Sequence, residues 1–168
     1  MEKIDLMSLT DNVFEKIGKE WMLVTAGTIA SHNTMTASWG CLGWLWNKPV
    51  AVVFIRPERY THQLIENTDR LTLQFLGHGE RAREIYSFCG SRSGRDMDKI
   101  AQAGLHPVEL EGGDVTFEEA DLTLVCRKLY KDSLKEQNLL DESLKQWYGA
   151  KGGYHDVYVL EIESGMRK

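Results

Sequence analysis

Asn33-Thr-Met-Thr-Ala-Ser-Trp-Gly40 is an uncharged stretch, rich in hydroxyls and small residues and set between apolar runs. Thr34, Thr36 and Ser38 alternate with Met35, Ala37 and Trp39. Successive side chains of a strand point to opposite faces, so a strand here puts three hydroxyls on one side and three apolar groups on the other. The plain reading is an ordinary half-buried strand. The sharper one is a hydroxyl face on an apolar scaffold, suited to holding a flat polar ligand.

Working outward, residues 21–28 read as a strand. Residues 50–55 form a valine-rich apolar run, opened by Pro49 and ended by Arg56-Pro57, since proline cannot donate to a ladder. Residues 71–75, 122–130 and 156–162 alternate in the same way. They set Leu122, Leu124 and Cys126 on one face of their strand and Tyr158, Leu160 and Ile162 on one face of theirs. Short helices are expected over residues 9–17, capped by Thr10 or Asp11 and ended by Gly18. Others are expected over 61–67, capped by Thr61, over 80–88, and over 96–103 before Gly104. Residues 134–147 are charged and helix-tolerant, 149–153 form a glycine-rich link, and the tail from Ser164 is expected to be loose. The strands are not spaced as regular strand–helix–strand units. The pattern therefore points to a mainly β fold with short helices, a small antiparallel barrel whose closure removes exposed edges.

The 168 residues suit a single domain spanning 1–168, long enough to bury a substantial core. A net charge of −5 argues against broad nucleic-acid binding, so basic groups for any phosphate must be concentrated locally. No apolar run reaches the roughly 18 residues that suggest a membrane span. The N-terminus lacks the apolar core of a secretory peptide, so a cytoplasmic location is expected. Cys41, Cys89 and Cys126 are far apart and form no C-x-x-C pair, and five scattered histidines give no metal-ligand spacing. Buried thiols in a reducing compartment are the expectation.

Two further segments carry chemistry. Arg56-Pro-Glu-Arg-Tyr-Thr61 places Arg56 and Arg59 at the end of a strand and Tyr60 and Thr61 at the start of a helix. Free amides and nearby guanidinium groups suit a phosphate, while a solvated arginine pair with a routine cap explains the same residues. In Ser91-Arg-Ser-Gly-Arg-Asp-Met-Asp-Lys99, Lys99 stands in a first helical turn, where it opposes the helix dipole. Either an anion or Asp96 and Asp98 can compensate it, and Gly94 permits close backbone approach. There is no G-x-G-x-x-G or G-x-x-x-x-G-K-[ST] loop. Trp39, Trp44 and Trp46 fit either a core or the flank of a ring system.

In order along the chain, Trp21-Met-Leu-Val-Thr-Ala-Gly27, Asn33 to Gly40, Trp46-Asn-Lys-Pro49, Arg56 to Thr61, Ser93-Gly-Arg-Asp-Met-Asp-Lys99, Phe117-Glu-Glu-Ala120, Leu124-Val-Cys-Arg-Lys128 and His155 resemble the flavin reductase-like family of split-barrel, FMN-binding proteins, which includes flavoredoxins. The match runs over about residues 20–162. It implies a six-stranded antiparallel Greek-key split barrel that forms a homodimer, with FMN near the subunit interface. It implies that Asn33, Thr34, Met35, Thr36, Ala37 and Ser38 line the ring and ribityl chain. Arg56, Arg59, Tyr60 and Thr61 then lie towards the phosphate, with Ser93, Gly94, Arg95 and Lys99 approaching the same cofactor. His155 is implied as a helper for nicotinamide binding or proton donation, with a surface histidine as the ordinary alternative. The function so implied is a flavoprotein oxidoreductase passing electrons from NADH or NADPH through FMN to a protein or small-molecule acceptor. A flavoredoxin-type carrier without efficient NAD(P)H oxidation is the runner-up, and a non-catalytic binding module on the same fold the third reading.

Overall fold

The computed structural model describes residues 1–150 and 152–168; of the glycine-rich link, Lys151 lies outside the described residues. The strands are β1 (Glu2–Ile4), β2 (Met22–Thr28), β3 (Ser31–Ala37), β4 (Gly40–Leu45), β5 (Lys48–Ile55), β6 (Arg70–Phe75), β7 (Pro107–Glu109), β8 (Val115–Phe117), β9 (Leu122–Ser133) and β10 (Asp156–Arg167). The helices are α1 (Val13–Glu15), α2 (Tyr60–Glu66), α3 (Glu80–Ser91) and α4 (Lys99–Gln102).

The main sheet is antiparallel throughout, in the order β3-β2-β6-β9-β10-β5-β4, with β1 added beside the end of β10. It thus carries eight strands, the short β1 and the edge strand β4 extending the six-stranded frame. One face of this sheet encloses a single core. Met22, Val24, Met35, Val53, Ile55, Leu71, Leu73, Leu122, Leu124, Tyr158 and Leu160 meet there, with Ile65 of α2 among them. Strands from both ends of the order reach that core, so the sheet is curled, and β3 packs directly against β5. No ladder pairs these two strands, which is the split of the barrel. Outside β2, helix α3 packs Ala82, Ile85, Tyr86 and Cys89 on Leu23 and Phe117 in a second apolar layer. At roughly 25 cal/mol per Å², these two layers are the main force holding the fold.

The faces expected for β9 and β10 are those observed: Leu122, Leu124, Cys126, Tyr158, Leu160 and Ile162 all point into the first core. Elsewhere tertiary context moved boundaries. The hydroxyl stretch is broken: β3 stops at Ala37, and Ser38-Trp39 turns into β4. The first helix starts later than expected, capped by Asn12, and runs on as a π turn over Lys16–Glu20, so Gly18 does not end it. Asp11 instead pairs with Lys16 and Arg167. Thr61 is not the cap of α2, because its hydroxyl accepts a hydrogen bond from Asn33 Nδ2 at 2.7 Å. Helix α4 is shorter than expected, capped by Asp98 and followed by Gly104 at φ +68°, the positive-φ stop that glycine allows. The tail is not loose: β10 runs to Arg167, held between β9 and the N-terminal β1. Cys41 is exposed, unlike Cys89 and Cys126. Trp44 and Trp46 join neither core nor site. They stand 59% and 56% exposed on the β4–β5 hairpin, whose turn takes positive φ at Trp46 and Asn47.

Candidate functional site

The β3–β4 turn, the loop after β5 and the start of β10 converge on one cleft. It has a volume of about 200 Å³ and is lined by Met35, Thr36, Ala37, Ser38, Trp39, Phe54, Arg56, Arg59 and His155. At Arg59 it meets a second cleft, of about 210 Å³, which contains Tyr60, Thr61, Ser93, Arg95 and Lys99. Tyr60, Arg95 and Lys99 also border a third hollow, which adds Asn33 and Gly94. The three distant sequence segments therefore share one depression.

Thr34 is the exception among the expected residues. It is fully buried. Its hydroxyl bonds Thr25 Oγ1 at 2.8 Å and the Val24 carbonyl at 3.3 Å, and Thr25 continues the network to Gln74. Thr36 borders the cleft, but its hydroxyl donates to the Tyr86 carbonyl of α3 at 2.6 Å. The hydroxyl face predicted from the sequence thus serves mainly to join β3 to β2 and α3. Ser38, just past the strand, is the one hydroxyl of that face left exposed. Gly94 has a similar local duty. A Cβ there would sit 2.1 Å from Asn33 Oδ1 and 3.2 Å from the Tyr60 ring, so its close approach is to the protein itself.

The cations are placed by α3. Arg59 donates to the carbonyls of Gly90 at 2.8 Å and Cys89 at 3.3 Å. Lys99, only 3% exposed, donates from Nζ to Cys89 O at 3.0 Å and Arg92 O at 3.1 Å. Both positive groups thus sit on the negative carbonyl end of a 12-residue helix, which compensates Lys99 in place of Asp96 or Asp98. Asp98 spends its carboxylate on the amide of Ala101. Burial brings Lys99 down to about 8, with the positive charge of Arg59 adding to the effect, and burial also lowers Arg59. Arg95 donates to the Glu58 carbonyl and lies 5.1 Å from the Tyr60 ring centre. None of Arg56, Arg59, Arg95 and Lys99 forms an ion pair among the described residues. Arg59, Arg95 and Lys99 thus border the hollows with their hydrogen bonds directed to backbone carbonyls.

The other end of the cleft is aromatic. Trp39 packs against Trp147 at 5.5 Å between ring centres and against His155 at 5.2 Å. His155 Nδ1 lies 3.3 Å from Tyr148 Oη, and Tyr148 stacks on Tyr154 at 4.2 Å. His155 is not a surface residue: it is 6% exposed, and burial together with the charge of Arg56 holds it down at about 4. At neutral pH it is therefore a neutral imidazole, a hydrogen-bonding group and ring neighbour rather than a ready proton donor. Phe54, Trp147, Tyr148 and Glu58 were not singled out in the sequence; Phe54 lay inside a strand read only as core. Among the described residues, no group of three or more His, Cys, Asp and Glu side chains could hold a metal ion. Among the described residues, no helix is long and apolar enough to cross a membrane.

Fold and cleft define a split-barrel protein whose connected hollows carry cations at one end and aromatic rings at the other. The chain belongs to the flavin reductase-like family, whose domain model matches residues 14–167. Its fold is similar to that of an FMN-binding protein from Thermus thermophilus, crystallised with p-hydroxybenzaldehyde (20% identity, TM-score 0.69, covering 100% of this chain and 82% of that one). Flavoredoxin of Desulfovibrio vulgaris (Miyazaki F) is also similar, at 20% identity and TM-score 0.67 over 99% of this chain and 76% of that one. So is the NADH:FAD oxidoreductase SgcE6 of Streptomyces globisporus C-1027, at 15% identity and TM-score 0.64 over 89% and 75%. No curated protein matches the chain.

Proposed function

We propose that this protein is an FMN-binding oxidoreductase that takes electrons from a nicotinamide cofactor and passes them to an acceptor. The observation that carries the reading is the group of Arg59, Arg95 and Lys99, none of them ion-paired among the described residues, beside a cleft whose far end is walled by Trp39, Phe54 and His155. A phosphate ester of a tricyclic ring presents those two chemistries at its two ends.

In this reading Arg59, Tyr60, Thr61, Ser93, Arg95 and Lys99 hold the phosphate, while Asn33 and Gly94 shape the adjoining wall. Met35, Thr36, Ala37 and Ser38 border the ring and ribityl chain, and buried Thr34 acts only by fixing β3. Bound there, the flavin supplies the electron chemistry linking NADH or NADPH to the acceptor. The chain contributes position and field. It supplies apolar walls, neutral His155 as a hydrogen-bonding partner at the ring end, and positive charge that favours an anionic ligand.

A homodimer completes the proposal. Val13, Phe14, Ile17, Cys41 and Leu42 form an apolar groove that shares Ser38, Trp39 and Phe54 with the ring end of the cleft, and Phe14 is 88% exposed. A second copy covering this groove would also shield the ring. A cytoplasmic setting agrees with the free cysteines.

The test is the absorption spectrum of the purified protein mixed with FMN, followed by stopped-flow addition of NADH or NADPH. Bleaching of the bound flavin within seconds is expected. Binding without bleaching would leave an electron carrier in its place, and no binding would leave a module without flavin.

A further inference from the structure

Strands β9 and β10 form a hairpin whose connection, described over residues 134–150 and 152–155, is far longer than a hairpin needs. Connections beyond roughly 12–15 residues are usually functional when ordered. Its base is closed by the Leu134 amide donating to the His155 carbonyl at 2.9 Å. Above that base, its side chains contribute little to either core. Leu140 is 100% exposed, Leu144 40% and Trp147 41%.

Two side chains from the loop after β5 hold this strap. Arg56 donates from Nη1 to the Gly153 carbonyl at 2.9 Å and from Nη2 to the Trp147 carbonyl at 2.8 Å. Its guanidinium also lies 5.5 Å from the Tyr148 ring centre. Glu58 accepts the Gly153 amide, and that bond holds its carboxyl below the usual range. Beneath these tethers, Trp147 and Tyr148 rest on Trp39 and His155, both of which line the ring end of the cleft. Unlike Arg59, then, Arg56 has its hydrogen bonds directed at a peripheral segment.

We infer that Arg56 is a latch: it fastens the strap over the ring end of the cleft and so governs how fast a ligand passes in and out there. The ligand part rests on the flavin reading above; the latch itself does not. A guanidinium bridging two carbonyls is a charge-assisted contact on an otherwise exposed segment, so its loss frees the strap locally without unfolding the barrel.

Ligand-free wild-type protein, Arg56→Ala, Arg56→Lys and Glu58→Ala are digested with chymotrypsin, and cleavage after Trp147 and Tyr148 is timed. Cleavage is expected to be roughly tenfold faster in Arg56→Ala, with smaller increases in Arg56→Lys and Glu58→Ala. Should Arg56→Ala fail to fold, the other two carry the comparison. Strap cleavage at the wild-type rate in every folded variant overturns the inference.

FMN and riboflavin kinetics supply the second readout. A latch predicts that the on-rate and off-rate rise together in Arg56→Ala, moving Kd by less than about threefold. A tenfold loss of FMN affinity with riboflavin unchanged would make Arg56 a phosphate ligand and overturn the latch. If wild-type protein takes up neither flavin, the flavin reading fails, and the cleavage rates still decide the latch.

Discussion

The two ends of the cleft are built in opposite ways. At the cation end, Arg59 and Lys99 are drawn onto the carbonyl terminus of α3, a helix anchored in an apolar layer by Ala82, Ile85, Tyr86 and Cys89. At the aromatic end, Trp147 and Tyr148 belong to a mostly exposed strap held by Arg56 and Glu58. Buried packing fixes one end; a few polar tethers fix the other. The difference separates two tasks, since a rigid charged end sets how tightly a ligand is held and a tethered end sets how readily it is reached.

The contrast breaks first if the cations do not hold the phosphate. Replacing Arg59 and Lys99 together by methionine should weaken FMN binding roughly a hundredfold, from the loss of two charge-assisted contacts, while riboflavin binding stays within a few-fold. Fluorescence titration of both ligands checks this. Equal losses for the two ligands would mean a collapsed cleft rather than a lost phosphate site.

A smaller effect comes from pH. Lys99 is held down at about 8 before any anion arrives, and a bound phosphate should raise it. Affinity for FMN is then full below pH 8 and falls by up to about tenfold per unit above it, because binding above that pH requires Lys99 to regain its proton. The same titration between pH 7 and 9.5 should slope in the wild type and lie flat in Lys99→Met.

Backbone geometry offers a sharper test of the rigid end. Gly94→Ala forces a Cβ into Asn33 Oδ1, disturbing the bond from Asn33 to Thr61. A stability loss of roughly 1–3 kcal/mol is expected, read as a lowered midpoint in urea unfolding.

Another pH effect lies at the aromatic end. His155 is held down at about 4, below its ordinary value of 6.5, so the unfolded chain takes up the proton first. Its contribution is therefore present above pH 6.5 and is lost as pH falls towards 4. In His155→Gln, unfolding midpoints between pH 6.5 and 4 should decline less steeply than in the wild type.

How much of this was legible in the chain depended on whether the deciding partner was local. Period-two alternation found β9 and β10 and the residues they send to the core, because a strand's two faces are written in its own sequence. The order of motifs also brought together Ser38, Arg59, Tyr60, Arg95, Lys99 and His155, which do border connected clefts. The sequence does not show where the hydroxyls of Thr34 and Thr36 go, because Thr25 and Tyr86, which bond them, come from other elements. The tail from Ser164 reads as loose in the sequence because β1, its partner, lies at the opposite end of the chain. For Lys99 the sequence offers an anion or Asp96 and Asp98 as compensation and not the carbonyl end of α3, which reaches it only through tertiary packing.

One experiment reaches the heart of the account: calorimetric titration of ligand-free wild-type protein with FMN and, separately, with riboflavin. FMN is expected to bind at least tenfold more tightly, the margin of a phosphate held by buried cations. Equal affinity for the two, or binding of neither, would contradict it.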